Sequence, residues 1–236
     1  MSIFAISDLH LPLGADKSMD IFRGWENYVE RLEQNWLATV KPEDTVVLAG
    51  DLSWALKLAD TEKDFAFLEA LPGKKLLLKG NHDLWWDSVT KMRRFFETRG
   101  FGTFDFIRNN AYLVDGLALC GTRGWFFDDP SGDKKMLLRE AGRLEASIAA
   151  AEKTGGLPVV FLHYPPVTRE RECPEICEVL RAHHIKHVYY GHLHGASATR
   201  AVCGNWNETR LELISADFLK FKPLKMNYAA TSSGVS

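Results

Sequence analysis

Thr45-Val46-Val47-Leu48-Ala49-Gly50-Asp51 decides how this chain is built. Five residues suited to a strand buried on both faces run straight into a glycine and a carboxylate. Gly50 has no side chain to resist a sharp bend behind the strand, so Asp51 is delivered at its carboxyl end. The same arrangement recurs on either side. Ile3–Ile6 leads into Asp8-Leu9-His10, and Leu76–Leu78 into Gly80-Asn81-His82-Asp83. Val159–Leu162 leads into His163-Tyr164-Pro165, and His187–Tyr190 into Gly191-His192-Leu193-His194.

Helical patterns separate these runs. Met19 to Val40 places Ile21, Trp25, Tyr28, Val29, Leu32 and Trp36 at helical spacing before Pro42. Further helices are expected over Asp60–Leu71, Ser88–Thr98, the Ala-rich stretch Lys134–Lys153, and Pro174–His183. From Phe104 to Cys120 the period shortens to strands at Phe104–Ile107, Tyr112–Val114 and Leu117–Cys120. Asp115-Gly116 there is a hairpin turn. Thr209–Ser215 and Phe218–Pro223 read as a last strand pair. The spacing therefore predicts an α/β fold of two mixed sheets flanked by helices, with ligands bound beyond the strands' carboxyl ends. Residues 1–223 are expected to form one domain and 224–236 a frayed tail.

Composition narrows the functional classes. The 236 residues are 46% hydrophobic and 25% charged, as in a soluble globular protein. A net charge of -2 gives no global basic footprint, so nucleic acid is not indicated as a partner. No apolar run reaches the ~18 residues of a membrane span. No secretory leader pattern is expected ahead of the first strand. Cys120, Cys173, Cys177 and Cys203 lack a paired Cys-x-x-Cys spacing, which points to free thiols and a cytoplasmic location. Cys173 and Cys177 can hold a metal from one helix face, or simply be small core residues.

The five clusters together offer enough oxygen and nitrogen ligands for two neighbouring divalent cations. A carboxylate with an imidazole, as in Asp8 and His10, suits Mn, Fe, Co, Ni or Zn better than Mg or Ca. Asp51 can bridge two cations ~3.5–4 Å apart. Asn81 adds a neutral amide oxygen, and His163, His192 and His194 add imidazoles. No cysteine falls in any cluster, which argues against structural zinc. A lone histidine is more often structural, but five of the eight histidines sit at the ends of apolar runs. The other three, His183, His184 and His187, follow a helix, where cations are favoured without any metal. Trp54, Trp85, Trp86, Trp125, Phe126 and Phe127 can stack on a base or ester, or serve as packing. Arg123 can clamp a phosphate or form an ion pair.

In this order and spacing, Asp8-x-His10, Gly50-Asp51, Gly80-Asn81-His82-Asp83, His163 and Gly191-His192-x-His194 resemble the metal-binding signature of the calcineurin-like metallophosphoesterases, over about Ile3 to Gly195. The resemblance implies a four-layer α/β/β/α sandwich and a cofactor of two divalent transition metal ions (Mn, Fe, Zn, Co or Ni). It assigns Asp8, His10, Asp51 and His194 to one metal, and Asp51, Asn81, His163 and His192 to the other. His82 is left as the catalytic residue, protonating the leaving oxygen or orienting the phosphate. A hydroxide bridging the metals is the implied nucleophile. One departure is informative: protein phosphatases of the superfamily continue Gly-Asp-x-x-Asp-Arg, whereas here Trp54 and Ala55 fill the last two places. That moves the expected substrate away from phosphoproteins and leaves Asp83 as the nearest residue to orient His82. The reading is a metal-dependent phosphohydrolase, a phosphodiesterase on small phosphate esters or nucleotides. Its alternatives are a phosphomonoesterase or nucleotide pyrophosphohydrolase, and an inactive scaffold on the same fold. The substrate residues expected are Arg123, Trp54, Trp85 and Trp125.

Overall fold

The computed structural model describes residues 1–125 and 134–227. Strands β1 (Ile3–Ile6), β2 (Thr45–Ala49), β3 (Lys74–Leu78) and β4 (Phe104–Phe106) lie parallel in one sheet. A second sheet holds β5 (Ala111–Val114), β6 (Leu117–Thr122), β7 (Leu157–Leu162), β8 (His187–Tyr190), β9 (Gly204–Trp206) and β10 (Thr209–Leu213). Its spatial order is β5-β6-β7-β8-β10-β9, with β5 and β9 antiparallel at the edges. The first sheet is closed by β11 (Leu224–Lys225), antiparallel to β1. Both sheets are therefore mixed.

Side-chain alternation along each strand builds the layers. In the first sheet Phe4, Ile6, Val46, Leu48 and Leu77 face helices α1 (Tyr28–Thr39), α2 (Glu62–Ala70) and α3 (Val89–Glu97), against Trp36, Phe65 and Phe96. Their neighbours Ile3, Ala5, Val47, Ala49, Leu76 and Leu78 face the other way. They meet Leu119, Val159, Phe161 and Tyr189 of the second sheet. The remaining faces of that sheet, Val160, Leu162 and Val188, are covered by α4 (Lys134–Glu152) and α5 (Pro174–Ala182) through Leu144, Ile148 and Leu180. Two sheets buried between helices give the four-layer sandwich, and its parallel strands are apolar on both faces for that reason.

Three stretches depart from expectation. Only the second half of Met19–Val40 is helical. Gly24 (φ +92°) and Asn27 (φ +50°) take left-handed conformations that break the turn-by-turn ladder, and Ile21 is 83% exposed. The broken half folds over the sheet end so that Trp25 meets Phe221, ring centroids 5.1 Å apart. Phe218–Pro223 is a set of turns rather than a strand, because Lys220 and Phe221 are also left-handed. The partner of β10 is instead β9, joined through a turn at Asn207 (φ +50°). The expected tail at 224–236 begins too early: Leu224 and Lys225 pair with β1 and Met226 is buried. The last nine positions of that stretch, 228–236, lie outside the described residues.

Candidate metal centre

The pairing of β1 with β2 does not stop where the strands do. Asp8 N–H donates to Gly50 O (2.9 Å), His10 N–H to Asp51 O (3.0 Å), Leu11 N–H to Leu52 O (2.9 Å) and Trp54 N–H to Leu11 O (3.1 Å). This extended ladder fixes Asp8, His10 and Asp51 side by side. All three are left-handed, with φ of 57°, 47° and 54°, and His192 joins them at 71°. A side chain is held in that region only when its surroundings over-determine it. Gly80 is required by contact rather than by conformation: a Cβ there would lie 2.1 Å from Asp51 Oδ1.

The five loops converge. Ligand atoms of Asp8, His10 and His194 lie within 4.8 Å of one another, and so do those of Asp8, Asp51 and His163. Asp51 Oδ2 stands between the two groups, 3.9 Å from His10 Nε2 and 3.4 Å from His163 Nε2. Asn81 Oδ1 is approached by His163 Nε2 at 2.7 Å and by His192 Nδ1 at 3.0 Å. The first group matches three of the four residues expected around one cation. The second groups Asp8 and His163, which the resemblance assigns to different cations, around Asp51.

Two observations show that this set fits metal ions. Asp8 and Asp51 are buried with no lysine or arginine partner among the described residues, a costly arrangement for two carboxylates unless cations offset it. Both ring nitrogens of His10 are buried and have no hydrogen-bond partner. Protonation states agree with a site short of positive charge. Burial opposes ionisation of Asp51 and of His163, yet their mutual attraction wins. It holds Asp51 well below the usual carboxylate range and pushes His163 up to about 9. Burial lowers His10 and His192 to about 4, leaving both as neutral rings suited to ligation.

His82 stands apart from the ligands. It is exposed at the mouth, with its ring 4.9 Å from Trp54 and 5.7 Å from His10, and partial desolvation lowers its pKa. Its backbone N–H donates to Asp51 Oδ1 at 2.7 Å, which ties its loop to the centre. Asp83 does not orient the His82 ring. It is fully buried and its oxygens face elsewhere: Oδ2 accepts from Asp51 N (2.8 Å) and Gly80 N (2.7 Å), Oδ1 from Leu52 N (2.8 Å) and Trp85 Nε1 (3.0 Å). Asp83 is the clasp between the loops after β2 and β3. Asp83→Asn turns an amide NH2 toward two of these donors, and should lower unfolding free energy by about 2–4 kcal/mol. Urea denaturation measures this, and an unchanged midpoint would remove the clasp.

The remaining substrate candidates divide. Trp85 is corrected outright: it is 2% exposed, bound to Asp83 and edge-on to Phe65 at 5.1 Å, so it belongs to the core. Trp54 is at the site, but His10 stacks on it at 4.5 Å and the Lys17 ammonium sits 3.3 Å from its centroid. Neither face is free to stack on a base. Trp125 is half-buried beside Tyr164, 6.3 Å between centroids, with the Arg123 guanidinium 5.0 Å over it. Arg123 reaches Glu140 at 3.9 Å on the wall of a cavity. Trp86 packs on Phe106, and Phe126 and Phe127 lie outside the described residues. His183 is bound by Glu152 (2.7 Å) and Glu145 (2.9 Å), and Cys173 and Cys177 are free thiols in the core, so neither set joins a metal group among the described residues.

Sequence reasoning missed Ser7, Lys17 and Asp64. Ser7 Oγ donates to Asp8 Oδ2 at 2.5 Å. Asp64, on a helix otherwise turned to the core, accepts from Leu13 N (2.8 Å) and Ser53 Oγ (2.5 Å) and so pins the ligand loops from behind. A carboxylate between buried Thr61 and Phe65 was the available signal.

The calcineurin-like phosphoesterase family model matches residues 1–196. No curated protein matches the chain. Among solved structures, the protein TT1561 of Thermus thermophilus is similar at a TM-score of 0.59 and 15% identity, over 95% of this chain and 97% of that one. The phosphopantetheinyl hydrolase of Mycobacterium tuberculosis is similar at a TM-score of 0.51 and 15% identity, over 97% and 96%. These likenesses carry the fold, and the family match carries the reaction class. The chain belongs to the calcineurin-like phosphoesterase family and is a metal-dependent phosphoric ester hydrolase.

Proposed function

We propose that the protein is a phosphodiesterase acting on small phosphate esters or nucleotides. Asp8, His10, Asp51 and His194 would hold one divalent transition metal ion, and Asp51, Asn81, His163 and His192 a second. The observation that carries the two-ion arrangement is Asp51 Oδ2, set between His10 and His163 with no lysine or arginine partner among the described residues. Such ions supply Lewis acidity toward phosphoryl oxygens and acidify the attacking water. The chain's own residues do the rest. His82, exposed at the mouth, would give its proton to the leaving oxygen. The exposed Lys17 ammonium beside it adds positive charge where a phosphate would dock. The Asp8 carboxylate accepts from the Ser7 hydroxyl and the His192 amide and that of Asp51 from the His82 amide, while His163 holds Asp51 well below the usual carboxylate range.

A diester is favoured over a phosphoprotein because Trp54 and Ala55 stand where the superfamily's protein phosphatases carry Asp and Arg. The free thiols of the described cysteines support a cytoplasmic location. With Mn, bis(p-nitrophenyl) phosphate should be hydrolysed with kcat/KM at least about tenfold above that of p-nitrophenyl phosphate, a difference of ~1.4 kcal/mol in the barrier. The reverse order would make the protein a phosphomonoesterase. No turnover on either ester or on nucleotides, with metal bound, would leave the inactive-scaffold reading standing.

A further inference from the structure

A cavity of about 460 Å³ opens at the carboxyl ends of β3, β4 and β6, away from the ligand histidines of β8. Four cationic side chains line it: Lys79 behind β3, Arg108 behind β4, Arg123 behind β6 and Arg143 on α4. Two carboxylates share the wall. Glu140 is buried and occupied by Thr122 Oγ1 (2.8 Å), Arg143 and Arg123, while Asp87 pairs with Lys91 at 3.0 Å. Lys79 and Arg108 are left with no carboxylate partner among the described residues. Like charges gathered into a concave site are favourable once an anion enters.

Two of the cavity's cations sit on loops that also build the metal centre. Lys79 directly precedes Gly80-Asn81, and Arg123 O accepts from His163 N (3.1 Å) and Tyr164 N (2.9 Å). A substrate whose scissile phosphorus sits at Asn81 and His163 would project its next group toward these four cations. Trp86 forms part of the wall and offers an apolar surface beside them.

We propose that this cavity receives a second phosphate group of the substrate, so that among small phosphate esters and nucleotides the enzyme prefers those that carry a second phosphoryl group, as in a phosphoanhydride or bisphosphorylated ester. This rests on the phosphohydrolase reading and extends it. Arg108 is the residue to remove: it is exposed and forms no ion pair within the described fold, so Arg108→Gln should leave folding intact. Chelator-treated protein titrated calorimetrically with inorganic pyrophosphate should bind it. Arg108→Gln should weaken that binding at least about tenfold, the effect of losing one charge-assisted contact. Arg210→Gln, at a distant exposed ion pair, should not. With Mn restored, Arg108→Gln should also lower kcat/KM for ADP-ribose at least about tenfold more than for bis(p-nitrophenyl) phosphate.

Equal pyrophosphate binding in wild type and Arg108→Gln would place the anion at the histidine centre and overturn the proposal. So would absence of binding, or equal kinetic losses on both substrates. If pyrophosphate bound through Arg108 while no ester was hydrolysed with any metal, the phosphohydrolase reading would fail and the anion site would stand.

Discussion

Asp51→Asn is expected to lower kcat at least about 10³-fold and to reduce the metal retained after gel filtration, because one neutral amide cannot replace a carboxylate shared by two cations. The effect is large because Asp51 carries three tasks at once. Its Oδ2 faces His10 and His163, its Oδ1 holds the His82 amide, and its own N–H is gripped by Asp83. The substitution keeps the backbone contacts and nearly the same shape, so the fold should persist. Metal analysis by mass spectrometry and circular dichroism separate loss of ions from loss of structure. Full metal content with wild-type turnover would show that Asp51 is not shared between ions.

His82→Ala should lower kcat by about 10²–10⁴-fold, the usual contribution of a positioned proton donor. Unlike Asp51→Asn, it should leave metal content unchanged, because the His82 ring is exposed and belongs to neither ligand group. The size of the loss should depend on the leaving group. A p-nitrophenolate leaves with little help from a proton, whereas an alkoxide needs one, so the loss should be several-fold to tenfold greater on an alkyl ester. A uniform loss across leaving groups would assign His82 to phosphate orientation instead. Loss of metal would make it a ligand.

The two expectations rest on parts of the molecule that differ in how openly the sequence displays them. The strand-then-ligand pattern was legible because a doubly buried parallel strand must be apolar throughout, so the first polar residues behind it stand out. Asp8, Asp51, Asn81, His163 and His192 are all of that kind. Helical spacing misled over Met19–Asn27, where tertiary contacts of Trp25 outweighed a pattern that Gly24 could not sustain. The edge strands β9 and β11 were lost because two or three residues cannot display a period. Trp85 was misplaced since adjacency in sequence to a ligand says nothing of which way a side chain turns; Asp83 turns it inward. The cationic cavity was invisible altogether, for Lys79, Arg108, Arg123 and Arg143 come from four separate elements.

The left-handed backbone at Asp8, His10, Asp51 and His192 has a consequence for how the protein can change. Each such residue costs on the order of 1 kcal/mol or more relative to glycine, which takes that conformation freely. Selection for heat resistance alone would therefore drift toward glycine at the very positions proposed to supply ligands. Thermal tolerance and turnover pull in opposite directions at these four sites, and stabilising changes that preserve activity must be sought elsewhere, in the helical layers.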